Sequence, residues 1–441
     1  MPLPRTDDAS TVTEQETIVA ICGGGLAGLA VAIGLERHGI KCRVYERAPQ
    51  LRNVSQGMRA LQPNGLAALE HIHPDLPTSV AKVVCRLEQT IVIPTDPALE
   101  TRTLPGLDRE KYGTVPVLIQ WHQLQKCLAE LLPDNIVVTG RSLVYFEERS
   151  DDRVLLHFED GTRVTCQDML ACDGSFSRAR QQIIPDDEKP IYFGQLNWNA
   201  IIPTTNSLMT VNNTIIIIQH NGQHSEEPRK WSAFLNDCGC GQTFWQLRLV
   251  DPERAMAISG SSGRGGLGLK GIKEALRKLV VPSKELLAAI EQTPEEQIFK
   301  RCIIGRNPAQ TWISAGGRVA LVGDAAHAMH PYIGQGGNGA FESASAVIDA
   351  LKDCKTDFIA GLKLFEATRK RRADLVQRYA NLMGCAQSSG KFNLSPDSRT
   401  TIHDWIKRSK AAKYLDLPPE EEKMMQEFDP CSEPHVKLID L

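Results

Sequence analysis

The stretch TIVAICGGGLAG, residues 17–28, decides the fold of this 441-residue chain. Its β-branched and apolar first half predicts a strand, and its second half is a G-x-G-x-x-G pattern that opens a predicted helix over 29–38. A second predicted strand over 41–46 completes a βαβ unit of about thirty residues. This order of elements is typical of a dinucleotide-binding domain, so we expect a Rossmann-like α/β fold.

The glycines of this pattern have separate physical roles. Gly23 makes the tight turn, Gly25 lets the backbone approach a pyrophosphate, and Gly28 lets the helix pack closely on the strand. The phosphates then rest on the N–H groups and the positive dipole end of the helix, near Ala27. Glu46 closes the second strand, and its carboxylate suits the two hydroxyls of an adenosine ribose. The pattern alone leaves NAD and FAD open.

Composition and charge exclude several classes of protein. Hydrophobic residues make up 42% and charged residues 23% of the chain, which places it among globular proteins. A net charge of −3 gives no field that favours nucleic acid. The apolar runs are far shorter than the roughly 20 residues of a membrane span, and residues 1–16 lack the apolar core of a signal peptide. The 12 cysteines lack zinc spacing, so we expect reduced thiols, no metal and a cytoplasmic location.

The pattern of predicted elements changes in the middle of the chain. Four β-rich runs between 191 and 250 alternate with loops rich in Asn, Gly and Pro, which predicts an inserted, largely antiparallel sheet. Helical patterns then return towards the C-terminus. The predicted division is a disordered tail (1–16), dinucleotide-binding segments (17–80, 121–188 and 296–385, the last with a long helix), substrate-domain strands (81–120), a substrate-binding sheet domain (189–295) and a C-terminal extension (386–441).

Two further motifs identify the cofactor. Residues 318–327, RVALVGDAAH, place Asp324 at the end of an apolar strand, and PYIGQGGN at 331–338 follows as a glycine-rich loop. The segment DGSFSRAR occupies 173–180. Together with the opening fingerprint, and in this order, the motifs resemble those of flavoprotein monooxygenases of the aromatic-hydroxylase type, a group that includes salicylate-hydroxylase-like enzymes and zeaxanthin epoxidase.

The resemblance implies a bound FAD. Asp324 would bind its ribitol chain, loop 331–338 would wrap the isoalloxazine, and a helix beginning near Asn338 would direct its N-terminus at the N1/O2 edge. Segment 173–180 would touch the pyrophosphate side and a transient NAD(P)H donor. The expected FAD ligands are Gly23, Gly25, Ala27, Gly28, Glu46, Arg47, Arg59, Trp121, Asp173, Arg180, Gly323, Asp324, Gly334, Gln335, Gly336, Gly337 and Asn338.

Three positions extend the family pattern or depart from it. Arg59 resembles the family's approach to its second helix, at the pocket mouth or the flavin phosphates. Trp121 stands where many relatives carry a phosphate-binding Arg, and we still expect it beside the cofactor. Asn199 replaces the Arg of a Trp-Arg-Gly stretch and shares one strand face with Gln195 and Asn197. We expect a neutral pocket wall here, with less need for a buried cation; the alternative is a face turned to solvent.

The resemblance implies a single-component monooxygenase that consumes NAD(P)H and O2. It would insert one oxygen atom into a small aromatic or heteroaromatic substrate through a flavin C4a-hydroperoxide. The predicted catalytic set is Pro331, which lies over the ring in the family, with His330, Tyr332 and Asn199 as pocket groups. Two alternatives stay open: epoxidation of an isoprenoid alkene, and a flavin-binding redox or interaction module without turnover. We expect a monomer or homodimer.

Overall fold

The predicted strand, glycine turn and helix form the centre of a parallel sheet. Strand β1 (Thr17–Cys22) leads into helix α1 (Leu26–Arg37), and β2 (Cys42–Glu46) then pairs with β1 in parallel. On its other side β1 pairs in parallel with β11 (Arg163–Ala171). Helix α1 is buried along most of its length, because its small and apolar residues pack against both the sheet and a later helix. The glycine turn therefore lies at the carboxyl edge of the central strand.

The structure is a computed structural model. It describes residues 17–51, 57–107, 109–187, 189–205, 213–220, 230–239, 241–250, 266–267, 272–280, 283–354, 357–389, 396–407, 419–427 and 437–438. The tail predicted for 1–16 lies outside the described residues.

The remaining strands extend this sheet to seven. The added strands are β8 (Val137–Thr139), β9 (Leu143–Glu148), β10 (Val154–Phe158) and β18 (Val319–Leu321). The order of the sheet is β8-β2-β1-β11-β10-β9, and β18 pairs with β11 in parallel. The strands β9 and β10 form an antiparallel extension at one edge.

A second sheet of nine strands forms the substrate domain. The strands are β5 (Gln89–Pro94), β6 (Arg102–Pro105), β12 (Ile191–Pro203), β13 (Thr214–His220), β14 (Trp231–Asp237), β15 (Gln242–Val250), β16 (Gly266–Leu267), β17 (Phe299–Gly305) and β19 (Lys437–Leu438). Their order is β16-β17-β12-β15-β14-β13-β5-β6, with β19 beside β12. The pairs are antiparallel except for β5 with β13.

The two faces of this sheet have different neighbours. Trp198, Trp245 and Leu247 lie on the face that packs under helices α7 (Ile272–Val280) and α8 (Lys284–Gln292), where they form an apolar core. The opposite face meets the first domain. For example, the amide Nε2 of Gln120 donates to Oε1 of Gln242 at 2.8 Å, which joins the first domain to the edge of β15.

Helices cover the first sheet and connect the two domains. The long helix α11 (Phe358–Ser389) packs against α10 (Gly336–Asp353), and α12 (Pro396–Lys407) packs on it through Trp405. A small sheet of β3 (Met58–Leu61), β4 (Cys85–Arg86) and β7 (Val117–Gln120) lies between the domains. The other helices are α2 (Pro63–Ile72), α3 (Leu76–Ala81), α4 (Arg109–Tyr112), α5 (Trp121–Ala129), α6 (Arg178–Ile183), α9 (Asp324–His327) and α13 (Pro419–Glu427).

The predicted fold class is confirmed: a Rossmann-like α/β unit carries an inserted, mostly antiparallel sheet. The segment boundaries given above stay a prediction. In the part of the chain that the structure describes, no helix combines the length and apolar character needed to cross a membrane. The same described ranges contain no group of three or more residues that would hold a metal ion.

Candidate active site

The glycine turn after β1 is shaped by close backbone approach. Gly23 has φ +115°, and a Cβ added there would lie 2.3 Å from the carbonyl oxygen of Cys172. A Cβ on Gly28 would lie 2.0 Å from the carbonyl oxygen of Gly23. By contrast, a Cβ on Gly25 would meet nothing within 4 Å. The first and third glycines are thus required by packing, whereas the second borders the open space in which a pyrophosphate would lie.

Glu46 is held at the mouth of this turn. Its Oε2 accepts a hydrogen bond from the backbone N–H of Gly24 at 2.7 Å, and its Oε1 accepts one from Ala48 at 2.8 Å. Each carboxylate oxygen keeps a second lone pair for a ribose hydroxyl. Arg47, beside it, is exposed. Sequence reasoning missed Gln125, which is buried in α5 and donates to the carbonyl oxygen of Gly24 at 2.7 Å, because a helical Gln carries no local signal for such a contact.

The second and third motifs meet the first at the same edge of the sheet. A Cβ on Gly323 would lie 2.9 Å from the Cβ of Ala27, so the turn after β18 presses against the start of α1. Asp324 follows at the exposed start of α9, and the hydroxyl of Ser175 donates to its Oδ2 at 3.3 Å. The Cβ position of Gly336, at the start of α10, lies 4.0 Å from the other oxygen of Asp324. The three motifs therefore enclose one site.

Asp173 combines a structural contact with an unused acceptor. Its Oδ2 accepts from the backbone N–H groups of Arg178, at 2.8 Å, and Ala179, at 3.3 Å, and so holds the first turn of α6. Its Oδ1 is buried and has no hydrogen-bond partner among the described residues. Burial raises the pKa of this carboxyl group. An unused buried acceptor beside the glycine turn fits a cofactor that carries hydroxyl groups, as FAD does.

The guanidinium of Arg180 is bound entirely by other protein groups. Its guanidinium is buried, and it donates to both carboxylate oxygens of Asp187, at 2.7 and 2.9 Å. It also donates to the carbonyl oxygens of Ala326, at 2.8 Å, Ala325, at 3.4 Å, and Asn307, at 3.2 Å. These five hydrogen bonds use all five N–H donors of the guanidinium. Arg180 therefore supports the backbone behind Asp324, with no N–H donor left for a contact with FAD; its expected part in cofactor binding stays a prediction.

The glycine-rich loop is held by side chains on its inner side. Asn338 accepts from the backbone N–H of Gln62 at 2.9 Å and donates to the carbonyl oxygens of Ala60 and Gly334, at 2.9 and 2.8 Å. The amide of Gln335 donates to Oε1 of Gln62 at 2.9 Å. Asn338 and Gln335 thus shape the loop through buried contacts. The backbone at 334, 336 and 337 is half-buried, and its contact with the flavin stays a prediction. Helix α10 begins at 336, earlier than predicted.

His330 is a neutral, fixed residue, so its expected acid–base role is not supported. The ring is fully buried, and its Nδ1 accepts from the backbone N–H of Tyr332 at 3.1 Å. The opposite nitrogen, Nε2, therefore carries the hydrogen and donates to Oε1 of Gln195 at 3.2 Å. Burial, followed by the charge of Arg248, holds the pKa of His330 well below its usual range. The neighbouring Pro331 is half-buried, and the side chain of Tyr332 is 41% exposed at the loop tip.

The amide face predicted on β12 is turned inward. Gln195, Asn197 and Asn199 are all buried, so the alternative of a solvent-facing side is wrong. Nδ2 of Asn197 donates to Oδ1 of Asn199 at 3.2 Å. However, this wall is not neutral. Arg248 on β15 pairs with Asn197 in register and lies on the same face, which corrects the expectation of a wall without a buried cation.

The pairing of β3 with β7 brings Arg59, on β3, close to Trp121, which directly follows β7. Trp121 begins α5, is half-buried, and its backbone N–H donates to the carbonyl oxygen of Gly57 at 3.0 Å. Arg59 pairs in register with Ile119, and its side chain lies outside the described part of the structure. Their contacts with a cofactor stay a prediction.

Comparisons with known proteins agree on one family. The model of the FAD binding domain family matches residues 16–224 and 287–380, which is more than half of the chain. The 3-amino-4-hydroxybenzoate 2-monooxygenase PtnB3 of Streptomyces platensis is 29% identical over 399 residues, covering 88% of this chain and 91% of that protein. The 6-hydroxynicotinate 3-monooxygenase of Pseudomonas fluorescens is 26% identical, covering 83% and 91%.

Solved structures show the same fold. Klebsiella pneumoniae HpxO, complexed with FAD and uric acid, has a TM-score of 0.72 at 21% identity, with 95% of this chain and 97% of that chain covered.

The chloroplastic zeaxanthin epoxidase of Solanum lycopersicum is 26% identical over 89% of this chain, but the match covers only 58% of that protein.

Proposed function

The chain belongs to the FAD binding domain family and is an FAD-dependent monooxygenase, and on this premise we propose that it inserts one oxygen atom from O2 into a small aromatic or heteroaromatic ring. We propose NADH or NADPH as the electron donor. Its relatives include enzymes named for 3-amino-4-hydroxybenzoate and 6-hydroxynicotinate, which are both small substituted rings.

The observation that carries this proposal is the convergence of three distant motifs on one site. The turn at Gly25 leaves open space, Glu46 and Asp324 offer carboxylate oxygens, and Asp173 offers a buried acceptor without a partner in the described chain. Backbone N–H groups suit a pyrophosphate, and carboxylates suit ribose and ribitol hydroxyls. The donor and acceptor set therefore fits FAD.

Bound FAD, once reduced, supplies the activation of O2. The chain contributes the electrostatic environment. Helix α10 starts at Gly336 without a capping side chain, so its first N–H groups and its positive dipole end are available to stabilise negative charge on the reduced ring. No protein nucleophile is required. What the residues must do is bind the cofactor, hold the substrate and keep water away.

The substrate wall is held rigidly by hydrogen bonds. Nε2–H of His330 orients Gln195, whose own amide donates to the carbonyl oxygen of Gly384 at 3.2 Å. This chain of contacts fixes β12, the loop and α11 relative to one another. Burial, followed by the charge of Arg248, holds the pKa of His330 well below its usual range, so the ring is neutral near neutral pH. The role of His330 is to position the β12 side of the substrate pocket. Pro331 and Tyr332 line the pocket on the side of the glycine-rich loop.

Epoxidation of an isoprenoid alkene is the weaker alternative. An alkene substrate needs an apolar pocket, whereas the inward face of β12 and β15 carries Asn197, Asn199 and Arg248. A hydrocarbon beside these buried groups would leave their unused donors and acceptors without hydrogen bonds. A polar ring substrate meets them with matching groups.

Visible spectroscopy and donor oxidation test the proposed function. We expect flavin bands in the purified protein, and NADH or NADPH oxidation that rises when one ring compound is added. A panel of phenolic, heteroaromatic and isoprenoid compounds separates the substrate classes. Oxygenated product must appear in step with donor consumption. A colourless protein that does not take up FAD, or a yellow protein that no compound stimulates, would refute the proposal and favour a binding module.

A further inference from the structure

Among the residues that the structure describes, Arg248 is a buried guanidinium without an opposite charge beside it. It lies on β15 with 6% of its surface exposed, and its Nε has no hydrogen-bond partner in the described part of the chain. Within those same ranges no carboxylate forms an ion pair with it. The other buried arginines differ. Arg180 and Arg306 share Asp187, and Arg369 binds Glu342.

The surroundings of Arg248 do not balance its charge. Its neighbours in register are Asn197 on β12 and Ser232 on β14, both neutral. From the glycine-rich loop, His330 and Tyr332 lie within electrostatic range, and His330 is neutral. Burial lowers the pKa of Arg248 to about 10, so the side chain is still a cation at neutral pH. A buried charge without a partner is costly, and such a cost is typical of a functional site.

A second unsatisfied group lies directly beside it. The Oδ1 of Asn197 is buried and accepts no hydrogen bond from any described residue. Residues directly opposite in an antiparallel pair lie about 4.5–5.5 Å apart at Cβ. An unused cationic donor and an unused acceptor are therefore neighbours on the face that meets the glycine-rich loop. Half-buried Arg301 on β17 lies on the other side of Asn197 in the same row.

We propose that Arg248 binds the carboxylate of an aromatic or heteroaromatic ring acid and that Asn197 accepts a hydrogen bond from a hydroxyl or amino group on that ring. This inference rests on the proposed function and specifies its substrate class. Arg248 is a binding and specificity residue. It holds the ring by its acid group and takes no part in oxygen transfer. The guanidinium geometry suits a carboxylate, whose two oxygens accept parallel N–H donors.

Matched pairs of ligands test the charge requirement. The probes are 4-hydroxybenzoate, 4-aminobenzoate and 6-hydroxynicotinate, each beside its carboxamide, which keeps the shape and removes the charge. Dissociation constants come from the change in flavin absorbance of the FAD-loaded enzyme, and donor oxidation is measured in parallel. We expect at least one acid to bind about 100-fold more tightly than its amide, as losing a buried charged hydrogen bond implies.

Three variants of Arg248 and one control variant assign the effect to this residue. In R248Q the preference for the acid should fall to less than about 5-fold, whereas R248K should retain part of it. The control R277Q removes an exposed guanidinium on α7, on the far side of the same sheet, and should bind as the wild type does. Without substrate, R248M should unfold at the same temperature as the wild type or higher, because it removes an uncompensated buried charge. A purely structural Arg248 would instead give a lower Tm.

The outcomes separate this inference from the proposed function. Equal binding of acids and amides by the wild type, or an unchanged preference in R248Q, overturns the assignment of Arg248 even if neutral rings are oxygenated. A lower Tm of substrate-free R248M also overturns it. Acid-selective binding that R248Q abolishes supports the assignment, and it does so even in an enzyme that oxidises no donor, where only the proposed function fails.

Discussion

Asp187 holds two buried arginines, and its substitution should weaken the whole cofactor domain. Its carboxylate lies 2.7 Å from Nε of Arg180 and 2.7 Å from Nη1 of Arg306. Both guanidinium groups are buried, and burial lowers the pKa of Arg306 to about 10. The substitution D187N keeps the volume of the side chain. It removes the negative charge and turns one acceptor into a donor that faces other donors.

The size of the effect follows from these contacts. Breaking a buried ion pair by removing one partner costs about 3–5 kcal/mol. An unfolding entropy of about 2.1 cal/mol/K per residue gives about 0.9 kcal/mol/K for the 441 residues unfolding together. We therefore expect D187N to lower Tm by about 3–5 °C. FAD should also dissociate more readily, because Arg180 and Arg306 hold the backbone at 325–326 and at Ser175, which flanks the cofactor site.

Thermal unfolding of the FAD-loaded protein, followed by flavin fluorescence and by far-UV circular dichroism, measures both effects. The matched control is D186N, which makes the same change of charge at the exposed neighbouring residue and should leave Tm unchanged. If D187N unfolds within 1 °C of D186N, the pair stabilises the domain far less than its burial implies. The argument that Arg180 is a structural residue would then fail.

The remaining predictions concern the glycine turn, the buried His and a buried carboxylate. The variant G28A should weaken FAD binding at least about 10-fold, because the new Cβ would lie 2.0 Å from the oxygen of Gly23; titration of the apoprotein with FAD checks this. In H330Q the pH profile of kcat/KM between pH 6 and 9 should keep its shape, even if the rate itself falls. If the decline of kcat/KM on one side of the profile disappears in H330Q, His330 acts as an acid or a base after all. Burial alone would raise the pKa of Glu342, but Arg372 and Arg369 outweigh it and hold that pKa at about 2. The stability from Glu342 is thus complete above its unfolded pKa of about 4.5 and is lost as pH falls towards 2, so E342Q should lower Tm at pH 7 by an amount that shrinks below pH 4.5.

The glycine turn and Glu46, at the carboxyl edge of the parallel sheet, could be predicted from the sequence because the patterns that specify them are local. Gly28 is required by its close contact with Gly23 in the same strand–turn–helix unit, and the φ of +115° that favours glycine at position 23 belongs to the same local turn. Glu46 ends the neighbouring parallel strand, so the βαβ unit alone brings it to the turn. Such relations depend on spacing, and spacing can be read directly from a chain.

Arg248 and Arg180 show what spacing could not predict. The position of Arg248 beside Asn197 depends on the register of two strands that are far apart in sequence, and no local sequence pattern encodes that register. Arg180 lies in a motif, but its partners are Asp187 and distant carbonyl groups. Whether a cation is paired decides whether it binds a ligand or supports the fold, and pairing is a tertiary property.

The hydrogen bonds that shape the glycine-rich loop also determine when the holoenzyme can form. Asn338 accepts from Gln62, and Gln335 accepts from Asn64, across separations of 276 and 271 residues. During synthesis, the first fingerprint leaves the ribosome long before its partners exist. The flavin pocket is therefore completed only when most of the chain is available. Truncated or stalled chains that end before residue 338 should carry a Rossmann-like βαβ unit yet remain apoprotein, so flavin incorporation would serve as a late marker of complete biosynthesis.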